Sequence, residues 1–197
     1  MMERAAVAAV VVAGLVSFAV ATDGFRAVTT EGARRLDVEH APRPLPAASL
    51  RDHRGFAFSW DDYAGSPVLV EFIFTTCPDV CQKMSSDLGE LVRTEQARGS
   101  DLRFVSVSFD PANDTVAQLA RVARHFGADG ARWRFARIDD AAELETTLAT
   151  FGIVAVPSPS RGFEHNAAIH GIDRKGRLAR ISDLEASAAI AAWARSL

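Results

Sequence analysis

The hydrophobic positions divide the chain into three parts. Residues 5–21 form an almost unbroken apolar run, residues 23–48 show no sustained period, and residues 49–197 alternate strand-like and helix-like patterns. The run has no polar face, and Arg4 precedes it, which is typical of an export signal. The pattern therefore predicts a signal anchor or signal peptide over residues 1–22.

The same segment leaves anchor and cleaved leader both open. Ala19-Val20-Ala21 would suit a signal peptidase. The apolar run is also close to the lower limit for a membrane-spanning helix, for which about 20 residues are usual. Residues 23–48, which contain Pro42, Pro44 and Pro46, are predicted to be an extended tether to a single domain at 49–197.

The pattern of the domain predicts the order β-β-β-α-β-α-β-α-β-β-α. Val68–Phe74 is a nearly continuous apolar run, typical of a central strand covered on both faces. Further strands are predicted within 50–60 and at 102–109, 133–138, 167–172 and 178–181. Helices are predicted after Cys77, over 116–126, through 144–151 and after Ser182, which forms a capping box with Glu185. The stretch at 154–164 is predicted to be a loop. This order predicts an α/β, thioredoxin-like fold with a mixed central sheet flanked by helices.

Composition excludes some classes of function and restricts others. A net charge of −3 gives no reason to expect a nucleic-acid partner. The chain has two cysteines, Cys77 and Cys81. A structural disulfide between them would close so short a loop that it would stabilise little.

Cys77 and Cys81 lie where a strand runs into a helix. Cys77 can cap that helix with Pro78 as its first residue, and Asp79 favours the positive end of the helix dipole. Cys81 follows one turn later, so both sulfurs face the same side. The pair is either a redox dithiol or half of a soft-metal site, and three intervening residues suit a chelate as well as a disulfide.

A two-thiolate site needs a further ligand, and imidazole is the obvious donor; two thiolates with one imidazole favour copper(I) and can hold copper(II). The histidines are His40, His53, His125, His165 and His170. His40 and His53 are expected to be solvated, and His125 suits the end of its helix. His165 is favoured because it ends a long loop directly before a core strand.

Three motifs together resemble the Sco/SenC family of copper chaperones. They are Phe74-Thr75-Thr76-Cys77-Pro78-Asp79-Val80-Cys81, then Ser108-Phe109-Asp110-Pro111 with Asp114-Thr115, and then Glu164-His165-Asn166. They occur in the family's order and cover nearly the whole domain. Two positions depart from the family pattern: Gln82 stands where proline is common, and Glu164 where aspartate usually precedes the histidine.

The resemblance implies a copper metallochaperone with a thioredoxin-like fold, anchored in or exported across the inner membrane. It implies one copper ion, Cu(I) or Cu(II), held by Cys77, Cys81 and His165. The implied role is assembly of the dinuclear copper centre of cytochrome c oxidase, with that copper-site subunit or another copper chaperone as partner. His170 is then a structural or surface group, Glu164 could orient the imidazole, and Asp110 and Asp114 form an ordinary helix start. A monomer is the default.

Two other functions stay open at this point. The pair could reduce the copper-binding cysteines of a target, with Cys77 attacking and Cys81 resolving, or it could serve as a redox or copper sensor. His165 separates these hypotheses, because a thiol-disulfide oxidoreductase does not need it. Enzymatic activity is not expected beyond such an exchange.

Overall fold

Strands and helices alternate over the domain in a computed structural model, which describes residues 2–77, 80–159, 162–183 and 186–197. The elements are α1 (Met2–Ala21), α2 (Thr30–His40), β1 (Arg43–Pro44), β2 (Leu50–Asp52), β3 (Ala57–Phe58), β4 (Val68–Ile73), α3 (Val80–Ala97), β5 (Arg103–Ser108), α4 (Val116–Phe126), β6 (Trp133–Ile138), α5 (Ala141–Phe151), β7 (Ala155–Ser158), β8 (Gly162–His165), β9 (Ile169–Ile172), β10 (Arg177–Ser182) and α6 (Ser187–Arg195). The predicted capping box at the last helix involves Glu185, which lies outside the described residues.

The central sheet is mixed, as predicted. Over the described residues its strand order is β1-β10-β9-β4-β5-β6-β2-β3. Strands β4, β5 and β6 run parallel to one another, while β9 pairs antiparallel with β4 and β2 pairs antiparallel with β6. Parallel strands need crossover connections, and α3 and α4 supply them. Their carboxyl ends therefore meet at one edge of the sheet.

Strand β4 is the centre of the core, which explains its continuous apolar pattern. Every side chain from Val68 to Ile73 is buried. Glu71 interrupts the apolar run and is itself fully buried. On the neighbouring strand β9, a Cβ atom at Gly171 would collide with the ring of Trp193, so α6 packs directly on the sheet.

The segment at 23–48 differs from the predicted extended tether. It contains helix α2, which begins after Thr29, whose side chain accepts a hydrogen bond from the Gly32 amide. Glu31 pairs with Arg34 and Arg35 one turn on, and such pairs support a short, largely charged helix. The chain divides into compact units at 1–41 and 42–197.

The N-terminal segment is helical over α1, with apolar side chains such as Val10 and Val20 exposed. Within the described residues, no helix is both long enough and apolar enough to cross a membrane. Export, and the choice between an anchor and a cleaved leader, stay predictions.

The stretch predicted as a loop at 154–164 is instead a hairpin of β7 and β8. Its register pairs Ala155 with His165 and Ser158 with Gly162. The side chain of Asn166 holds its base, because it accepts from the Val154 amide and donates to the Gly152 carbonyl. His165 is therefore carried by a strand.

Candidate metal centre

The cysteine pair lies at the carboxyl end of β4. Cys77 is in the turn after the strand and Cys81 in the first turn of α3, and both are free, buried thiols. The Cys81 amide donates a hydrogen bond to Cys77 Sγ at 3.4 Å, as expected for a sulfur at a helix start. The predicted roles of Pro78 and Asp79 at this helix start lie outside the described residues.

Asp114 ties the cysteine turn to the next strand. The Thr75 amide donates to its carboxylate at 3.0 Å, the Thr75 hydroxyl also donates to it, and the Ser108 hydroxyl donates at 2.5 Å. Asp114 is fully buried. Asp110 accepts from Asn113, which fits the predicted helix start. The sequence interpretation missed that Asp114 also anchors the turn before Cys77.

His165 reaches the pair from the β7–β8 hairpin. Its Nε2 lies 3.6 Å from Cys81 Sγ, although the two residues are 84 positions apart in the chain. The imidazole packs edge-on against the rings of Phe109 at 5.0 Å and Phe74 at 6.1 Å. Phe163 closes this aromatic cluster, with ring centroids 5.5 Å from both phenylalanines. These ring contacts place the imidazole next to the thiols.

The separation of these two donors fits a shared metal ion. With bonds of roughly 2.3 Å to sulfur and roughly 2.0 Å to nitrogen at a tetrahedral angle, two donors stand about 3.5 Å apart. Across the part of the chain that the structure describes, no three His, Cys, Asp or Glu side chains converge closely enough to enclose an ion as they stand. Cys81 and His165 are therefore close enough to bind one ion together, and Cys77 lies beside Cys81.

Burial sets the protonation of both donors. It raises the pKa of the Cys81 thiol, with further increases from its hydrogen bond with Cys77 and from the charge of Glu71. Burial also lowers the pKa of His165, against a smaller opposite effect of the Asn166 amide. In the absence of a metal, Cys81 is therefore protonated and His165 is neutral near pH 7. A neutral imidazole is the form that binds metals, whereas the thiol must lose its proton first.

A buried carboxyl lies beneath this end of the sheet. Glu71 Oε1 accepts hydrogen bonds from Ser85 on α3 at 2.9 Å and from Ser106 on β5. Its Oε2 has no partner among the described residues. Burial raises the pKa of Glu71 to about 7. Neither the sequence pattern nor the family resemblance drew attention to it.

The other histidines do not join the site. His40 and His125 are exposed at the ends of α2 and α4. His53 was expected to be solvated, but it is buried; its ring Nδ1 accepts a hydrogen bond from the Phe135 amide because the turn folds onto β6. His170 is buried between Phe72 and Phe151, which makes it structural.

Glu164 does not orient the imidazole in this structure. It is exposed, and no hydrogen bond or ion pair of its side chain occurs within the described residues. In a strand, neighbouring side chains point to opposite faces, so Glu164 faces away from His165.

The SCO1/SenC family model matches residues 45–195, which is most of the chain. The chain belongs to the SCO1/SenC family. Its thioredoxin-like fold with a mixed sheet agrees with the solved structures of that family.

Individual SCO1/SenC relatives show how far the likeness extends. A Bacillus subtilis (strain 168) SCO1 protein homolog is 26% identical over 132 residues, covering 66% of this chain and 68% of that protein. The Bos taurus mitochondrial SCO2 homolog is 38% identical over 80 residues, covering 40% of this chain but 30% of that protein. Bradyrhizobium japonicum ScoI, solved with copper bound, matches with a TM-score of 0.65 at 25% identity, covering 76% of this chain and 99% of that one.

Proposed function

We propose that this protein is a copper metallochaperone that binds one copper ion through Cys77, Cys81 and His165. The observation that carries the proposal is the 3.6 Å separation between Cys81 Sγ and His165 Nε2. Two thiolates and an imidazole form a soft donor set that favours copper(I). The copper-bound structure of the related B. japonicum ScoI supports the same cargo.

The proposed role is delivery of copper during assembly of the dinuclear copper centre of cytochrome c oxidase. The recipient is the oxidase subunit that carries this centre, or another copper chaperone. Copper would pass to the recipient's thiolates by ligand exchange. His165 is the ligand that can leave most easily, because it stands on a hairpin whereas both cysteines belong to the sheet–helix junction.

We propose that this activity takes place in the periplasm, at the periplasmic face of the inner membrane. The support is the apolar segment at 5–21, which is typical of an export signal or anchor. The proposed function involves no nucleic-acid partner, and we take the protein to be a monomer by default.

A second function, reduction of a recipient's copper-binding cysteines, is favoured by one observation. Cys77 and Cys81 are both free thiols, with Cys77 Sγ at the amide of Cys81. Two thiols this close can form a disulfide while passing two electrons to a target disulfide. Copper delivery needs a recipient whose cysteines are reduced, whereas thiol reduction acts on a recipient whose cysteines form a disulfide.

A transfer experiment separates the two functions. The copper-loaded protein is mixed with the reduced, metal-free soluble domain of the oxidase subunit, and copper is measured in both after separation. We expect copper to move to the subunit. Retention of copper by the chaperone, together with reduction of the oxidised subunit by the metal-free protein, would instead establish a thiol-disulfide oxidoreductase.

A further inference from the structure

A pocket opens beside the cysteine pair, on α3 and α4. It has a volume of about 320 Å³, and Cys77 and Cys81 are among the residues that line it. Phe74 and Phe126 give it apolar sides. No residue of the β7–β8 hairpin lines it in the described part of the chain. The pair can therefore be approached through this pocket without displacing His165.

Arg121 brings a positive charge to the wall of the pocket. Arg121 and His125 lie one turn apart on α4, so both point to the same side of the helix and both line the pocket. Arg121 is exposed, and among the described residues no acidic side chain pairs with it. Many other arginines of the domain do have such a partner, as Arg174 has Asp101. A carboxylate from another molecule would fit beside Arg121.

The depth, size and charge of this pocket together indicate which kind of molecule it can bind. Cys77 and Cys81 are only 8% and 6% exposed, so a flat protein surface cannot reach their sulfurs, whereas a protruding segment can. A volume at the low end of the range for ligand pockets admits a few residues and not a folded element. We propose that this pocket receives an extended segment of the copper recipient that carries a cysteine next to an acidic residue.

In that arrangement the segment's cysteine meets the pair and its carboxylate pairs with Arg121. This inference rests on the proposed function, since delivery requires a recipient with thiols. The charge of the whole chain predicts the opposite preference. A net charge of −3 attracts cationic peptides, so a preference for an acidic peptide can arise only locally.

The test uses the reduced, metal-free protein and capped peptides Gly-Cys-Glu-Gly and Gly-Cys-Lys-Gly, each as a mixed disulfide with 2-thiopyridine. A protein thiol attacks the peptide sulfur, the bond to thiopyridine breaks, and pyridine-2-thione leaves with the proton. The second protein thiol then attacks the mixed disulfide, which yields the Cys77–Cys81 disulfide and free peptide thiol. Absorbance of pyridine-2-thione reports the rate of the first step.

We expect the Glu peptide to react about fivefold faster than the Lys peptide at low salt, as for one exposed ion pair. Arg121→Ala should bring the rate ratio close to one, and so should high salt. Arg124→Ala is the matched control, because Arg124 is exposed on the same helix but does not line the pocket; it should keep the preference. The ratio cancels any change in thiol reactivity that affects both peptides.

Three outcomes would overturn the proposal. The first is equal rates for the two peptides with the parent protein, and the second is a preference for the Glu peptide that survives Arg121→Ala. The third is that the disulfide of N-acetylcysteine with 2-thiopyridine reacts as much faster than the Lys peptide as the Glu peptide does, and loses this advantage in Arg121→Ala. The last would identify a small anionic thiol as the occupant. Because copper is absent throughout, a failure here leaves the copper-binding proposal untouched, and a failure of copper binding leaves this result standing.

Discussion

Replacing His165 by alanine should lower the affinity for copper(I) by about two orders of magnitude or more. Loss of residues that merely support a ligand already costs 10–100-fold, and here the ligand itself is removed. The Cys77–Cys81 disulfide should still form, because neither thiol depends on the imidazole for its position. Competition with a copper(I) chelator of known affinity measures the first effect, and thiol counting after mild oxidation measures the second.

His125→Ala is the matched control for this prediction. His125 is an exposed imidazole that lines the pocket beside the same cysteines, but it stands on α4 and not on the hairpin. Its loss should leave copper affinity within about threefold of the parent value, as expected for a surface side chain without a contact to the ligands. A larger loss in His125→Ala than in His165→Ala would show that the wrong imidazole has been assigned.

Replacing Glu71 by glutamine should stabilise the metal-free protein at pH 8 but not at pH 4.5. Burial raises the pKa of Glu71 from 4.5 to about 7, so the folded protein holds this proton more tightly than the unfolded chain does. Stability from the protonated carboxyl is complete below pH 4.5 and is lost as the pH rises to about 7. At 1.36 kcal/mol per pKa unit, the loss amounts to about 3 kcal/mol.

Glutamine removes this titration and keeps an oxygen that can accept from Ser85 and Ser106. Urea unfolding gives the free energy of unfolding of both proteins at pH 4.5 and pH 8. The effect is the change, between the two pH values, in the difference between the variant and the parent. Glu90→Gln is the control for the substitution itself, because it makes the same side-chain change at an exposed position of α3. If the parent and Glu71→Gln differed by the same free energy at both pH values, Glu71 would not titrate as described.

The central strand shows what the sequence pattern can predict. The apolar run at Val68–Phe74 predicted a strand buried on both faces, and β4 is such a strand. The run also contains Glu71, and nothing in the sequence shows how a buried acid is accommodated. Its partners Ser85 and Ser106 come from a helix and a neighbouring strand, so only tertiary packing brings the three together.

The candidate metal site could be predicted to a similar extent. Spacing placed Cys77 and Cys81 on one side of a helix start, and the family resemblance nominated His165. The local pattern around His165 indicated a loop, because Pro157, Pro159 and Gly162 usually interrupt strands. The hairpin forms nevertheless, since it is short and Asn166 supplies hydrogen bonds at its base.

Helix α2 and the pocket were missed for different physical reasons. Helix α2 is short and largely charged, and its buried apolar residues Leu36 and Val38 lie two positions apart, so a search for helical hydrophobic periodicity does not find it. The cap at Thr29 was the available signal. The pocket requires two helices to be placed beside the cysteine turn, and no sequence spacing between Cys81 and Arg121 encodes that distance.

Copper stoichiometry of the reduced protein tests the central claim most directly. The parent, Cys77→Ser and Cys81→Ser proteins are loaded with copper(I), freed of loosely bound metal by a competing chelator, and analysed for copper per chain. One copper in the parent and almost none in either variant is the predicted result. Equal copper in all three, or none in the parent, would contradict a copper centre at these cysteines.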